Sequence, residues 1–382
     1  MDTIRPSEVI ETPVVTPGVI GHSEELSVEV ASQWQLMWWK FLKHRLAVAG
    51  GLIVLFYYFV AVFAGFFAPY SPKTYIADYV YAAPQQIHLF RDGKLSPYVH
   101  GYTFERDPVS FKKIWTIDEE SYIPIGFFVH GESYKVLGLI ETDLHLIGPR
   151  TVGDPVYFLG ADKTGRDVLS RTIYSSRISL SIGLVSVFIS MMLGITLGGI
   201  SGLTGGIVDT LIQRLIEITM SIPLLPVLIS IAALVPIDWS ILRVYFIISI
   251  LLALTSWTWL ARVVRSKFLS LREEDFVLAA RLDGVNSRRL IFRHMLPSFY
   301  SHLIASLTLA LPNIILAETA LSFLGIGLRP PIVSWGVQLQ EAQKVTVIAT
   351  YPWLLIPALA VIVVVLAFNF LGDGLRYAAD PY

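Results

Sequence analysis

The feature that most limits what this chain can become is a series of six long apolar stretches, over residues 46–68, 178–202, 209–234, 242–260, 302–324 and 353–371. A helix needs about 20 apolar residues to cross the hydrocarbon core of a bilayer, where every backbone polar group must be bonded within its own segment. Each stretch is long enough. The third starts with Gln213, Arg214 and Glu217 before it turns apolar, and the fourth follows a turn at Pro236-Ile237-Asp238. The chain is 54% hydrophobic and 15% charged, against about 45–50% and about 25% in soluble domains. The surplus apolar surface must face something other than water.

Charge gives the direction. Lys40, Lys43 and Arg45 precede the first stretch, and Arg262, Arg265, Lys267, Arg272, Arg281, Arg288, Arg289 and Arg293 crowd between the fourth and fifth. Short cytoplasmic loops collect Lys and Arg, and six crossings put both clusters on one side. The expectation is a multi-pass cell-membrane protein with cytoplasmic termini. Residues 1–38 read as a flexible cytoplasmic tail, with acidic and proline-bearing runs and no apolar signal core. Residues 39–72 hold the first span, 73–157 an outer insertion and 158–382 a core of spans two to six. The insertion is aromatic and alternates in polarity over 134–139 and 141–147, the pattern of a small β-rich domain rather than a linker.

Absences narrow the function. Cysteine is missing, which excludes disulfides, thiolate metal sites and a cysteine nucleophile. A net charge of −1 supplies no field for nucleic acid. The histidines show no His-X-X-X-His spacing, so no metal site is expected. The phosphate-cradling Gly-X-X-X-X-Gly-Lys-Ser/Thr loop is also missing, and the sole Gly-Lys, Gly93-Lys94, lies in the outer insertion. The chain is expected to bind no cofactor and to make or break no covalent bond; energy must come from another subunit.

The basic segment 262–297 is the natural place to receive it. Glu273, Glu274 and Asp275 suit a helix N-terminus, Gly284 suits its C′ position, and Asn286 or Ser287 can cap a second helix. Pro297 is expected to close that helix before the fifth span. Ala279, Ala280 and Gly284 would form a smooth strip that lets a partner approach the backbone. Arg288 and Arg289 can belong to the contact or simply to the charged juxtamembrane face. In the fifth stretch, Asn313 and Glu318 are polar groups at costly positions. They either line a path or hydrogen-bond a neighbouring helix. The run Asp162-Lys163-Thr164-Gly165-Arg166-Asp167 lacks the oxygen-ligand count of a calcium loop and reads as a gate element at the start of span two.

At this point the residues match a known pattern. Ala279-Ala280-Arg281-Leu282-Asp283-Gly284, followed by Leu296-Pro297, resembles the "EAA" loop of binding-protein-dependent ABC permeases. Leu278 stands where that motif has glutamate, and His294 where it has isoleucine. The His-X-Leu-Pro ending is similar to the dipeptide/oligopeptide/nickel branch. So are 159–171 before span two, 320–336 after span five, and 367–376 with Asp380-Pro381 at the C-terminal end. The resemblance implies an all-α polytopic membrane protein, with six transmembrane helices of the type I ABC importer permease type and the β-rich extracytoplasmic insertion between spans 1 and 2. It implies that Ala279, Ala280, Asp283, Gly284, Arg288, Arg289, Leu296 and Pro297 serve an ATPase-coupling loop. It leaves Asn313, Glu318, Asp162, Gly165, Arg166 and Asp167 as path or gate candidates. The implied partners are a homologous second permease, one or two cytoplasmic ABC ATPases that carry ATP-Mg, an extracytoplasmic solute-binding protein and the lipid bilayer. The cargo implied is peptide, oligosaccharide or a nickel chelate.

Two other classes fit less well. An ion-coupled secondary transporter would place ionisable residues mid-span in several helices, and here only Glu318 comes near. A membrane receptor would carry a cytoplasmic signalling domain, yet the longest inner segment is 262–297.

Overall fold

The computed structural model describes residues 33–91, 93–109, 113–234, 236 and 239–379. The expected tail before residue 33, Ile237-Asp238 and the terminal Asp380-Pro381 lie outside the described residues. Among the described residues the chain is mostly helical, and five helices are long and apolar enough to cross a membrane. Helix α1 (Gln33–Lys43) takes up the last residues of the 1–38 segment. His44 breaks the chain between helices, its Nδ1 accepting from Ala47 N at 3.1 Å, and α2 (Arg45–Val62) follows as the first long apolar helix.

Helix α3 (Val168–Thr204) begins ten residues before the expected second span, because Asp167 caps it by accepting from Ser170 N at 2.7 Å. At 1.5 Å per residue its 37 residues run about 55 Å, more than a bilayer core of about 30 Å. It is therefore longer than one upright crossing requires.

The third apolar stretch departs from expectation. It forms two helices, α4 (Gly206–Ser221) and α5 (Leu224–Leu234). Pro223 has no N–H and pushes the residue before it out of the helical region; Ile222 is extended at φ −82°, ψ 122°. Hydropathy counts side chains and does not register this break. Helix α6 (Ile241–Leu271), α7 (Asp275–Leu282), the helical run α8 (Ser287–Phe323) and α9 (Pro352–Ala379) complete the bundle.

Helix α3 packs along α6, α8 joins α3 to α9, and α2 lies on α9. The main core gathers Leu180, Ile182, Leu252, Ile315, Trp335 and Phe368. A second core, around Phe268, Val277, Leu290 and Met295, lies where α6, α7 and the start of α8 meet. Between α2 and α3 sits a four-stranded antiparallel sheet in the order β1 (His88–Arg91), β2 (Lys94–Arg106), β3 (Lys113–Val136), β4 (Ile140–Pro149). The 24-residue β3 pairs its first half with β2 and its second half with β4. Val99, Ile123 and Ile125 bury against Tyr70 and Val156, and Glu132 accepts from Ser71 N at 3.0 Å, so the sheet is fastened to the residues that follow α2.

Candidate functional site

The loop between α6 and α8 folds as a helical hairpin on the second core. Helix α7 ends in a Schellman motif: Val285 N donates to Ala280 O at 3.1 Å and Gly284 N to Arg281 O at 3.0 Å. The motif needs a left-handed residue at C′, and Gly284 supplies it at φ +74°. Asn286 then caps α8, accepting from Arg289 N at 2.9 Å.

The small-residue strip is divided between two faces. Ala280 is buried beside Val277, Leu290 and Met295, whereas Ala279, Asp283 and Gly284 are exposed. Arg288 and Arg289 are exposed as well, and Leu296 is buried in the core. The expectation of one smooth strip is thus corrected, since Ala280 serves the loop's own packing. The exposed face instead carries apolar side chains: Leu278, noted in the sequence only for replacing a glutamate, and Phe276, Phe292 and, at 90% exposure, Leu282, which the sequence did not single out.

Pro297 does not close a helix. The run Ser287–Phe323 passes through π-helical turns over Leu290–Met295 and a 3₁₀ segment, Leu296–Phe299, that takes Pro297 near its start. Helical geometry is lost only at Phe299, φ −134° and ψ 24°, from which the regular helix Tyr300–Phe323 starts afresh. Below the loop, Arg265 of α6 makes a bidentate ion pair with Asp209 of α4, both contacts at 2.6 Å. Asp209 was visible in the sequence only as the first residue of the third stretch.

The run at the start of α3 is a clasp. Asp162 Oδ1 accepts from Thr164 N and Thr164 Oγ1, each at 2.7 Å, and from Arg166 N at 3.1 Å. Its Oδ2 accepts from Arg166 Nε at 2.8 Å and from Arg171 Nη1. Glu341 lies 3.6 Å from both Arg166 and Arg171 and 3.7 Å from Lys163. Burial pushes the Asp162 carboxyl up, but Arg171, Thr164 and Arg166 together hold it below the usual carboxylate range. Glu341 is raised by burial and by the neighbouring Asp162. Burial pushes Asp167 up to about 6 against its bonds from Ser170, and its Oδ1 is buried without a partner. Gly165 stacks on the backbone of Ile76, whose N–H donates to Gly165 O at 3.0 Å. The charged groups of the clasp face one another.

The two polar residues of α8 separate. Glu318 is fully buried and accepts from Ser179 Oγ of α3 at 3.2 Å and from Ser322 Oγ at 2.9 Å. Ser179 Oγ also accepts from Trp335 N at 3.3 Å, so Glu318 sits in a joint between α3, α8 and the residues before α9. Asn313 is exposed and borders an open groove between α6 and α8, with Ser256, Trp259, Ser306 and Leu309. Trp259 also lines the adjoining pocket, together with Arg262, Lys267 and His302.

Comparison with known proteins finds relatives over much of the chain. The family described as "binding-protein-dependent transport system inner membrane component" matches residues 194–382. The "N-terminal TM domain of oligopeptide transport permease C" matches residues 32–84. The sheet lies between the two matches. The chain is 38% identical over 242 residues to the oligopeptide transport system permease protein of Haemophilus influenzae, covering 63% of this chain and 75% of that one. It is 36% identical over 226 residues to the dipeptide transport system permease protein of Bacillus subtilis, covering 59% and 68%. Among solved structures, the inward-facing MetNI methionine ABC transporter matches with a TM-score of 0.38 at 19% identity, over 53% of this chain and 93% of that one.

Proposed function

The chain belongs to the family of binding-protein-dependent transport system inner membrane components, and from that premise we propose that it is one of two permease subunits of an ATP-driven peptide importer. Peptide is the cargo in the names of the relatives in Haemophilus influenzae and Bacillus subtilis, and the groove beside Asn313 gives this chain's contribution to the path. The second permease closes that groove from the other side. ATP-Mg stays on cytoplasmic ATPases, and a solute-binding protein delivers peptide at the opposite face, where the sheet lies. In this arrangement α4 and α5 make the third of six crossings as a broken helix, and both termini are cytoplasmic.

The observation that carries the reading is the face of α7. Leu282 at 90% exposure, with Phe276 and Leu278 beside it, is an apolar knob on a charged loop between two long apolar helices. Such a face gains by burial in a partner's groove. Transport then follows from rigid-body movement: Val277 and Ala280 lock α7 to α6 and α8, so a shift of the ATPase moves the helices that border the groove.

Leu282→Asp tests this without touching the fold, because the side chain has few neighbours to lose. Burying a leucine is worth about 1.5–3 kcal/mol, so ATPase affinity should fall roughly tenfold to a hundredfold. Uptake into vesicles should fall with it, while the amount of membrane-inserted permease stays constant. Undiminished ATPase association and uptake would remove α7 as the coupling element.

A further inference from the structure

We propose that the tip of the β3–β4 hairpin, together with Phe127 and Phe128, rests in the bilayer interface beside the first span, on the sheet's side of the membrane. The proposal depends on the reading of α2 and α3 as membrane spans.

The tip is aliphatic and uncovered. Leu137, Leu139 and Ile140 are 66%, 84% and 67% exposed, and no charged residue falls between Val136 and Ile140. A soluble hairpin closes with polar turn residues. Here the turn residues with positive φ are Leu137 at 51° and Gly138 at 75°, so a leucine takes a conformation usually left to glycine or asparagine.

The stem is anchored at the end of the first span. The Tyr134 ring lies directly on Gly65, in the short helix Ala64–Phe67 that follows α2. Beside it, Arg177 of α3 donates to the carbonyls of Ala61 at 2.7 Å and Val62 at 2.9 Å, in the last turn of α2. From the Tyr134–Thr142 pair, the strand continues to the tip at about 3.3 Å per residue, a reach of about 10 Å. A side chain extended from the bundle at that height meets headgroups and the ends of acyl chains.

A second group of residues points the same way. Successive strand residues normally face opposite sides of a sheet. Phe128 breaks the alternation with φ +54°, and Phe127 and Phe128 are both exposed, at 65% and 61%. Phe128 meets Phe66 at 6.2 Å between ring centroids, Phe66 meets Phe67 at 5.3 Å, and Phe67 meets Phe59 of α2 at 5.7 Å. The phenyl cluster thus continues the exposed apolar face of α2, Leu52, Leu55 and Phe56, onto the sheet.

Lipid fits this surface better than a protein partner does because the phenyl cluster joins it to the exposed apolar face of α2, which the spanning assignment places against acyl chains. Beyond the apolar tip comes the exposed cross-strand pair Lys135–Glu141, then the exposed pair His130–Asp143 at 2.9 Å. These charged pairs lie between the tip and Phe127–Phe128 and stay exposed, so the hairpin offers polar groups to water beside two apolar contacts, as an element lying in the interface does.

The native chain has no cysteine, so one introduced thiol reports one place. Leu139→Cys is labelled with an environment-sensitive fluorophore, and the importer is reconstituted in phosphatidylcholine–phosphatidylglycerol vesicles. Emission is then challenged with nitroxide-bearing lipid, or with iodide present on both sides of the membrane. Val109→Cys, on an exposed turn of the sheet domain, reports water. Leu55→Cys in α2 and Leu359→Cys in α9 report the spans. The expected result is that Leu139→Cys follows the span probes, quenched by nitroxide lipid and protected from iodide, while Val109→Cys does the reverse. Quenching of Leu139→Cys by iodide alone would overturn the proposal, and so would protection from both quenchers, which would mean a protein covers the tip. Failure of both span probes to meet nitroxide lipid would instead remove the spanning assignment, and the hairpin proposal with it.

Discussion

Gly50 and Gly51 are neighbours in α2, yet the structure gives them different surroundings, and this makes a sharp test of how α2 sits on α9. A Cβ at Gly50 would fall 2.6 Å from Ala367 O and 3.1 Å from Leu371 N, both backbone atoms of α9. A Cβ at Gly51 would have as its nearest neighbour Leu371 Cδ1, at an ordinary 3.5 Å. Each glycine-to-alanine change gains about 0.8–1 kcal/mol of helix propensity, so that part cancels in the comparison. At Gly50 the added methyl forces backbone to move, an overpacking cost of about 1–3 kcal/mol. Gly51→Ala should therefore stabilise by up to about 1 kcal/mol, with Gly50→Ala lying about 1–3 kcal/mol below it. The assay is unfolding of the detergent-purified protein by SDS, followed by the fluorescence of its nine tryptophans. Coincident curves for the two variants would refute the α2–α9 packing.

Two further changes test the clasp at the start of α3. Asp162→Ala leaves Arg171 buried with only Glu341 at 3.6 Å; the loss should reach about 3–5 kcal/mol in the same SDS unfolding, and parent-like stability would contradict the buried network. Asp167 sits at about 6 folded against 3.8 unfolded, so the folded state binds its proton more tightly and stability falls as pH rises from about 4 through 6, by roughly 3 kcal/mol in all. Asp167→Asn keeps an N-cap oxygen and removes that titration: it should be more stable than the parent at pH 7.5, with the margin closing as pH falls to 5, and a margin independent of pH would refute the assignment.

Much of this architecture is legible in residue type alone. The five long apolar helices coincide with five of the six apolar stretches, because lipid and core both select by side-chain hydrophobicity. The third stretch misleads for a backbone reason, since Pro223 is apolar by any hydropathy scale and still lacks the N–H that a continuous helix requires. Pro297 misleads by position: π and 3₁₀ turns carry the chain past it, and helical geometry is lost only at Phe299. Length was a further blind spot, for α3 runs ten residues past its apolar stretch on the strength of one cap, Asp167.

Within the candidate site, the deciding information was angular, and it was present in the spacing. Residues on an α-helix advance by about 100° each, so Asn313 and Glu318, five apart, stand about 140° from one another. They could not both face one path, and the groove takes Asn313 while the joint takes Glu318. The same count applies to α7. Val277 and Ala280 lie about 60° apart and define the inward face, opposite which Leu282 stands at about 170°. A small residue such as Ala280 does not announce whether it faces a partner or its own core. The large neighbour settles it, because Leu282 cannot share the inward face with Val277 and so stands outward, the most exposed of the apolar groups that α7 presents there with Phe276 and Leu278.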